Sequence, residues 1–354
     1  MAASASLPQL SWLSSLADVP IATDEKSVDV SVLCAGVAVL RTTLFAIGGK
    51  ATLFDLASLV ADEMRRKGLA TAKVSVSVSG SVIASSQVVF ADAVVTADVS
   101  EFIRNNFLST LKSKRVAAAG EETVTAIVAA GESTQFSALV VYELNGEVAT
   151  AEISLGAGGT ASAYAAVSMS VSLDTVGRYV EDAQIPFSRI LAFSVKLGSR
   201  TLPCYVANSS PSARLFFRNM FNCWEMFSLP ATTARNTDVE RSTAFLGNES
   251  MFYDQSVYRS YKVVTAPLDA DEPLWCEQLA ASLDVRFDDG KSSFPEKMPK
   301  VLVTDSSAEF ADDSSEDAVF EFTWRFADRC PRVSPSEVIS LTGVFTEQFT
   351  YQFS

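Results

Sequence analysis

Residues 27–36 read SVDVSVLCAG, in which Val28, Val30 and Val32 alternate with Asp29 and Ser31. A period of two places the valines on one face and the polar residues on the other, as in a half-buried strand. The pattern recurs at 73–79 (KVSVSVS), at 81–95, and twice within 137–155, where Asn145-Gly146 separates two runs. Both of those turn residues accept positive φ, so the pair predicts a tight hairpin. A second hairpin is expected across 156–159, where Gly156, Gly158 and Gly159 stand between VATAEISL and YAAVSMSVSL. Further strands are expected at 283–287, 299–304 and 318–326, with a turn at Asp288-Asp289-Gly290.

Two segments switch to helical spacing. Over 53–67, Leu53, Leu56, Val60 and Met64 fall on one face, Thr52 and Asp55 form a capping-box-like pair, and Gly68 follows the basic Arg65-Arg66-Lys67. The second helix is expected over 273–282: Asp271-Glu272-Pro273 suits a helix N-terminus, and Leu274, Trp275, Leu279 and Ala280 follow. The fold class expected is therefore mainly β, two to three β-sandwich-like modules with two isolated α-helices. Composition shifts after the Lys112, Lys114 and Arg115 cluster and again at Asn208-Ser209-Ser210-Pro211. They divide the chain into an N-terminal arm (1–24), a β-rich domain with one helix (25–120), a sandwich-like domain (121–208), a second β-rich domain with one helix (209–334), and a C-terminal arm or edge strand (335–354).

Charge narrows the functional classes. Lys and Arg number 28 against 42 Asp and Glu, a formal charge of -14 over 354 residues, so a phosphate backbone finds no broad electrostatic support. No nucleic-acid partner is expected. The absence of histidine removes the usual general base and zinc ligand. Ser109 and Lys112 match an SxxK pattern, which needs no histidine, but its companion motifs are missing and a basic element end explains the pair far better. The acidic run 305–317 offers oxygen ligands to calcium without the spacing of a calcium loop, and reads as a solvated loop. No catalytic, cofactor-binding or metal-binding residue is assigned, and no cofactor or small-molecule substrate is expected.

Cys34, Cys204, Cys223, Cys276 and Cys330 are dispersed, without a CxxC pair, and read as free, mostly buried thiols. The first twenty residues lack a positively charged region before an apolar stretch, so no signal peptide is expected. No run approaches the ~18–20 apolar residues of a membrane helix, and no membrane partner is expected. Synthesis in a cytoplasm follows as the expectation.

The densest aromatic segment is 215–229, LFFRNMFNCWEMFSL. Phe216, Phe221 and Trp224 are anchors of either a core or a subunit interface. Arg218 and Glu225, set within that run, require partners and are expected to form charge-assisted bonds close to a subunit boundary.

Several motifs, taken in order, resemble a family of mostly uncharacterised proteins encoded in tailed-phage and prophage regions of gut bacteria. They are FFRNxFNxWE (from Phe216), RSxAFxG (from Arg241), YRSYKVxTxxL (from Tyr258), an acidic helix with Trp275, SxxV (from Ser282) and FEFTWRFADR (from Phe320). LFxxGGKATLFDL (from Leu44) fits the same family, so the resemblance runs from about residue 25 to 333, and the tail through FTEQFTYQFS departs from it. The resemblance implies a non-catalytic virion component of the tail or baseplate, located in the virion, forming a homo-oligomer and joining other virion proteins. The same β-rich features also suit a cell-surface adhesin or glycan-binding module.

Overall fold

The computed structural model describes residues 3–117, 120–207, 213–308 and 318–328. It is mainly β, built as three modules in chain order, each contributing seven strands among the described residues. In the first, β1 (Leu10–Trp12), β2 (Val19–Ala22), β3 (Ser27–Cys34), β4 (Val37–Phe45), β5 (Lys50–Leu53), β6 (Thr71–Val78) and β7 (Ser81–Val89) surround helix α1 (Leu56–Lys67). Five strands form a sheet in the order β1-β7-β6-β3-β4, and β2 pairs with β5. The alternation read from the sequence is realised: Val28, Val30, Val32 and Cys34 point inward beside Val74 and Val76, under Leu56, Val60 and Met64 of α1. Each such fully buried side chain contributes roughly 1.5–3 kcal/mol.

The second module contains α2 (Val99–Asn105), β8 (Lys114–Ala117), β9 (Glu122–Val128), β10 (Phe136–Leu144), β11 (Glu147–Leu155), β12 (Ala165–Val171), α3 (Leu173–Asp182), β13 (Arg189–Leu197) and β14 (Arg200–Ala207). Its main sheet runs β11-β10-β13-β14-β8, and the pair β12-β9 closes the core over it. In the third module, β15 (Leu215–Arg218), β16 (Trp224–Phe227), β17 (Ala231–Leu246), β18 (Glu249–Thr265), β19 (Val285–Phe287), β20 (Lys300–Ala308) and β21 (Phe320–Phe326) form one antiparallel sheet. Their order is β16-β15-β19-β20-β21-β18-β17. Helix α4 (Glu272–Ala281) buries Trp275, Cys276 and Leu279 against Phe217, Phe227 and Phe322.

Several expectations change. Within the segment expected as an N-terminal arm, β1 pairs in parallel with β7, and Leu13, Leu16, Val19 and Ile21 lie in the first core. The boundary at 120 moves back, because β8 pairs with β14 and α2 packs on β9, so the second module begins before α2. The segment 156–159 does not turn a hairpin. Here β11 pairs with β10 while β12 crosses to β9, and Gln135 Nε2 donates to the carbonyls of Leu155 and Gly156 where the chain changes sheet. Asn145-Gly146 does turn one, with φ of 54° and 86°.

Helix α1 starts at Leu56, with Leu53 in β5 and Asp55 in the left-handed region at φ 55°; Gly68 ends it at φ 64°. The two expected helices are joined by α2 and α3. The segment 208–211, the acidic residues 309–317, Cys330 and the tail 335–354 lie outside the described residues.

Candidate functional site

The aromatic segment 215–229 folds as the hairpin β15-β16, and its turn is where the three modules meet. Asn219 Oδ1 accepts from the backbone N–H groups of Phe221 and Cys223, both at 3.0 Å, which shapes the turn. Asn219 Nδ2 donates to Leu108 O at 2.7 Å in the second module and to Glu225 Oε1 at 2.9 Å. Asn222, at φ 59°, donates to Met64 O at 2.9 Å, which also accepts from Leu69 N, and to Leu69 O at 3.2 Å just past the end of α1. Phe221 packs against Trp12 and Phe102. The apolar cluster there draws Trp12 and Val89 from the first module, Ile103, Leu108 and Ile127 from the second, and Phe221 from the third.

Of the expected anchors, Phe216, Phe221, Trp224 and Glu225 are all buried. The Arg218 guanidinium lies 4.0 Å over the Trp224 ring and donates to Glu296 at 3.2 Å and Asn222 O at 2.8 Å. Trp224 Nε1 donates to the same Glu296 oxygen at 2.5 Å. Burial lowers the Arg218 guanidinium from its usual value, against the pull of Glu296. Gly68, at φ 64°, lies beneath it, and a Cβ there would sit 2.5 Å from Arg218 Nη2 and displace the guanidinium. The charge-assisted bonds expected of Arg218 and Glu225 are therefore present. Both side chains face neighbouring modules, Arg218 beside Gly68 of the first and Glu225 beside Lys114 of the second.

Glu225 belongs to a buried charge cluster. Lys114 Nζ, on β8, lies 3.2 Å from Glu122 and 3.6 Å from Glu225, and Trp275 Nε1 donates to Glu225. Burial acts to lower the Lys114 ammonium, but Glu225 and then Glu122 outweigh it and raise it, so the cation persists. At Glu122 burial dominates and raises the carboxyl above its usual range, with Lys114 offsetting only part. Glu122 Oε1 has no hydrogen-bond partner among the described residues, and the side chain is fully buried. No reactant reaches this cluster from solvent, so it acts as a pin between β8, β9, β16 and α4. Nearby, Arg115 Nε donates to Glu272 at 2.7 Å, Lys112 N to Asp271 Oδ2 at 2.7 Å, and Gln278 Nε2 to Thr110 Oγ1 at 2.8 Å. The basic stretch read as a boundary is thus a strap along α4. Ser109 Oγ accepts from Leu111 N in a local turn, and Lys112 is engaged with Asp271 through its backbone.

The described cysteines Cys34, Cys204, Cys223 and Cys276 are buried and form no disulfide. Burial pushes the thiols of the first three up to about 11, 12 and 12, and raises Cys276 as well, which leaves them inert at neutral pH. A cavity of about 460 Å³ between the first and third modules gathers Arg65, Arg66, Lys67, Arg218 and Arg286. Each is already paired, with Asp92, Glu63, Glu63, Glu296 and Asp284 respectively, so it carries little free charge for an anion. A wider cleft of about 900 Å³ along α3 mixes Arg178, Arg189 and Arg214 with Glu121, Asp174 and Glu181. Among the described residues, no three His, Cys, Asp or Glu side chains are arranged to hold a metal ion, and no helix is long and apolar enough to cross a membrane.

Sequence reasoning missed the most exposed feature. Strands β17 and β18 pair with each other along their whole length, but β21 joins β18 only from Ser260 to Val264. Beyond that point ten residues of β17, 237–246, continue with β18 as a two-stranded arm, about 33 Å long at ~3.3 Å per residue. Gly247, at φ 65°, turns the tip, and a register shift after Ser242 leaves Tyr253 as a bulge. Phe245, Leu246, Met251, Phe252 and Tyr253 crowd the tip, with Phe245 81% and Tyr253 71% exposed. A free two-stranded ribbon is marginal in water, and clustered exposed apolar side chains mark contact surfaces.

No known family model matches the chain, and no curated protein matches it. Among solved structures, the plexin A4 full extracellular region, domains 1 to 8, aligns over 92% of this chain with 8% identity and a TM-score of 0.20. The aligned part spans 40% of that chain, and a score this low establishes no common fold.

Proposed function

We propose that this protein is a non-catalytic structural subunit of a phage virion, a tail or baseplate component that works in many copies. The observation that carries this reading is the arm: a ribbon that leaves the body, has no buried side chain from 237 to 259, and ends in five exposed apolar side chains. Such an element gains stability only from a neighbour. The resemblance of its motifs to those of phage and prophage proteins supports the same reading. So does the solvent-inaccessible placement of the Lys114, Glu122 and Glu225 cluster, which suits a pinned, rigid building block better than a reactive centre. Mass spectrometry of purified phage particles tests the proposal. The chain is expected in the particle at several copies, and its absence from intact particles overturns the reading.

A further inference from the structure

The arm sorts its charges by face. Residues directly opposite in an antiparallel pair share a face, and neighbours along a strand alternate. Thr237 stands opposite Arg259, Val239 opposite Val257, and Arg241 opposite Gln255, so Arg241 and Arg259 occupy one face, and Arg235 continues their row at the base. The Arg241 guanidinium lies 5.2 Å over the Phe252 ring on that same face. On the other face Asp238 is opposite Tyr258, Glu240 opposite Ser256, Ser242 opposite Asp254, and Leu246 opposite Glu249. That face carries four carboxylates and, from 237 to 259, no Lys or Arg. Arg325 of β21 meets it only where the arm joins the sheet, over Tyr258.

We infer, resting on the multi-copy role proposed above, that the arm binds the arm of a second copy of this chain, the basic face of one stacked on the acidic face of the next. The two faces carry opposite charge, and each carries apolar residues to exclude water: Val239, Val257 and Phe252 beside the arginines, Met251 and Leu246 beside the acids. A pairing of like faces would set arginine against arginine or carboxylate against carboxylate. Because the two contacting faces differ, the contact runs head to tail, and it closes into a ring where the rotation per copy permits. A face about 33 Å by 10 Å is smaller than the ~800 Å² per partner of a standard stable pair. The joint is therefore weak singly, strengthened by closure, and sensitive to salt.

Sedimentation velocity of the full chain, over a concentration series at low and high salt, tests this. The wild type is expected to self-associate at low salt and to lose the assembly at high salt. Two charge-reversed variants, Asp238→Arg with Glu240→Arg and Arg241→Glu with Arg259→Glu, should each stay monomeric alone. Mixed in equal amounts they should assemble again, since every interface then joins a basic to an acidic face. Single reversals, Glu240→Lys and Arg241→Glu, replace either variant if circular dichroism shows it misfolded. A wild type that is monomeric throughout, variants that assemble unaided, or a mixture that stays monomeric overturns the inference. Particle composition, measured separately, then still decides whether the chain is a virion subunit.

Discussion

Glu122 is the residue at which burial and charge oppose each other most directly. Its carboxyl is raised above the usual 4.5 by burial, so the folded state binds a proton that the unfolded state releases. The stability this provides is fully present below about pH 4.5 and is lost as pH rises through the folded value. Glu122→Gln cannot titrate there. The melting temperature of the variant minus that of the wild type is thus expected to increase from pH 4.5 toward neutrality; a flat or falling difference would show that Lys114 holds the carboxylate ionised. Trp224→Ala removes the ring under Arg218 and should cost about 3–5 kcal/mol in urea unfolding, as for other buried tryptophans. A loss below ~1 kcal/mol would show that the ring contributes little to the junction. The sequence made Arg218, Trp224 and Glu225 visible because charges inside an aromatic run demand partners, whereas Glu122 carried no such signal. It did not show who the partners are: Lys114, Glu296 and Trp275 lie far off in the chain, and no local pattern links them.

At the scale of elements, half-buried strands were the legible part. Strands β3, β6 and β10 announce themselves because one face is apolar, and α1 because its apolar residues recur at helical spacing. The arm escaped notice for the complementary reason: neither of its faces is buried, so ATTARNTDVERSTAFL shows no period of two in hydrophobicity. Helices α2 and α3 were signalled only by their caps, Asp98 accepting from Glu101 N and Ser172 from Thr175 N, short signals amid strand-like surroundings. The arm's independence has a thermal consequence. Replacing 237–259 by a two-residue Asn-Gly turn should leave the melting temperature of the body unchanged, because β21 stops pairing at Ser260. A clear drop, read by circular dichroism, would mean that the arm supports its own module.

For the whole molecule, domain boundaries were the least legible feature, since composition records where the chain changes character and not where its strands pair. The shared cluster around Trp12, Ile103 and Phe221 couples all three modules, so calorimetry of the intact chain is expected to give one transition. Asn222→Asp keeps a residue tolerant of positive φ but removes the donor to Met64 O and Leu69 O. It should split that transition, the first module melting apart from the rest; a single unshifted peak would count against the turn as the coupling element. The parallel pairing of β8 with β14 sets an order of events during synthesis. The first module's strands are all complete by Val89, whereas Lys114 leaves the ribosome long before Cys204, the residue opposite it. At ~5–20 residues per second, β8 waits roughly 5–20 s for its neighbour, and longer for Glu225. A nascent chain halted in that interval exposes the open sheet edge of β8 and an ammonium still lacking Glu225, a natural place for a chaperone to hold it.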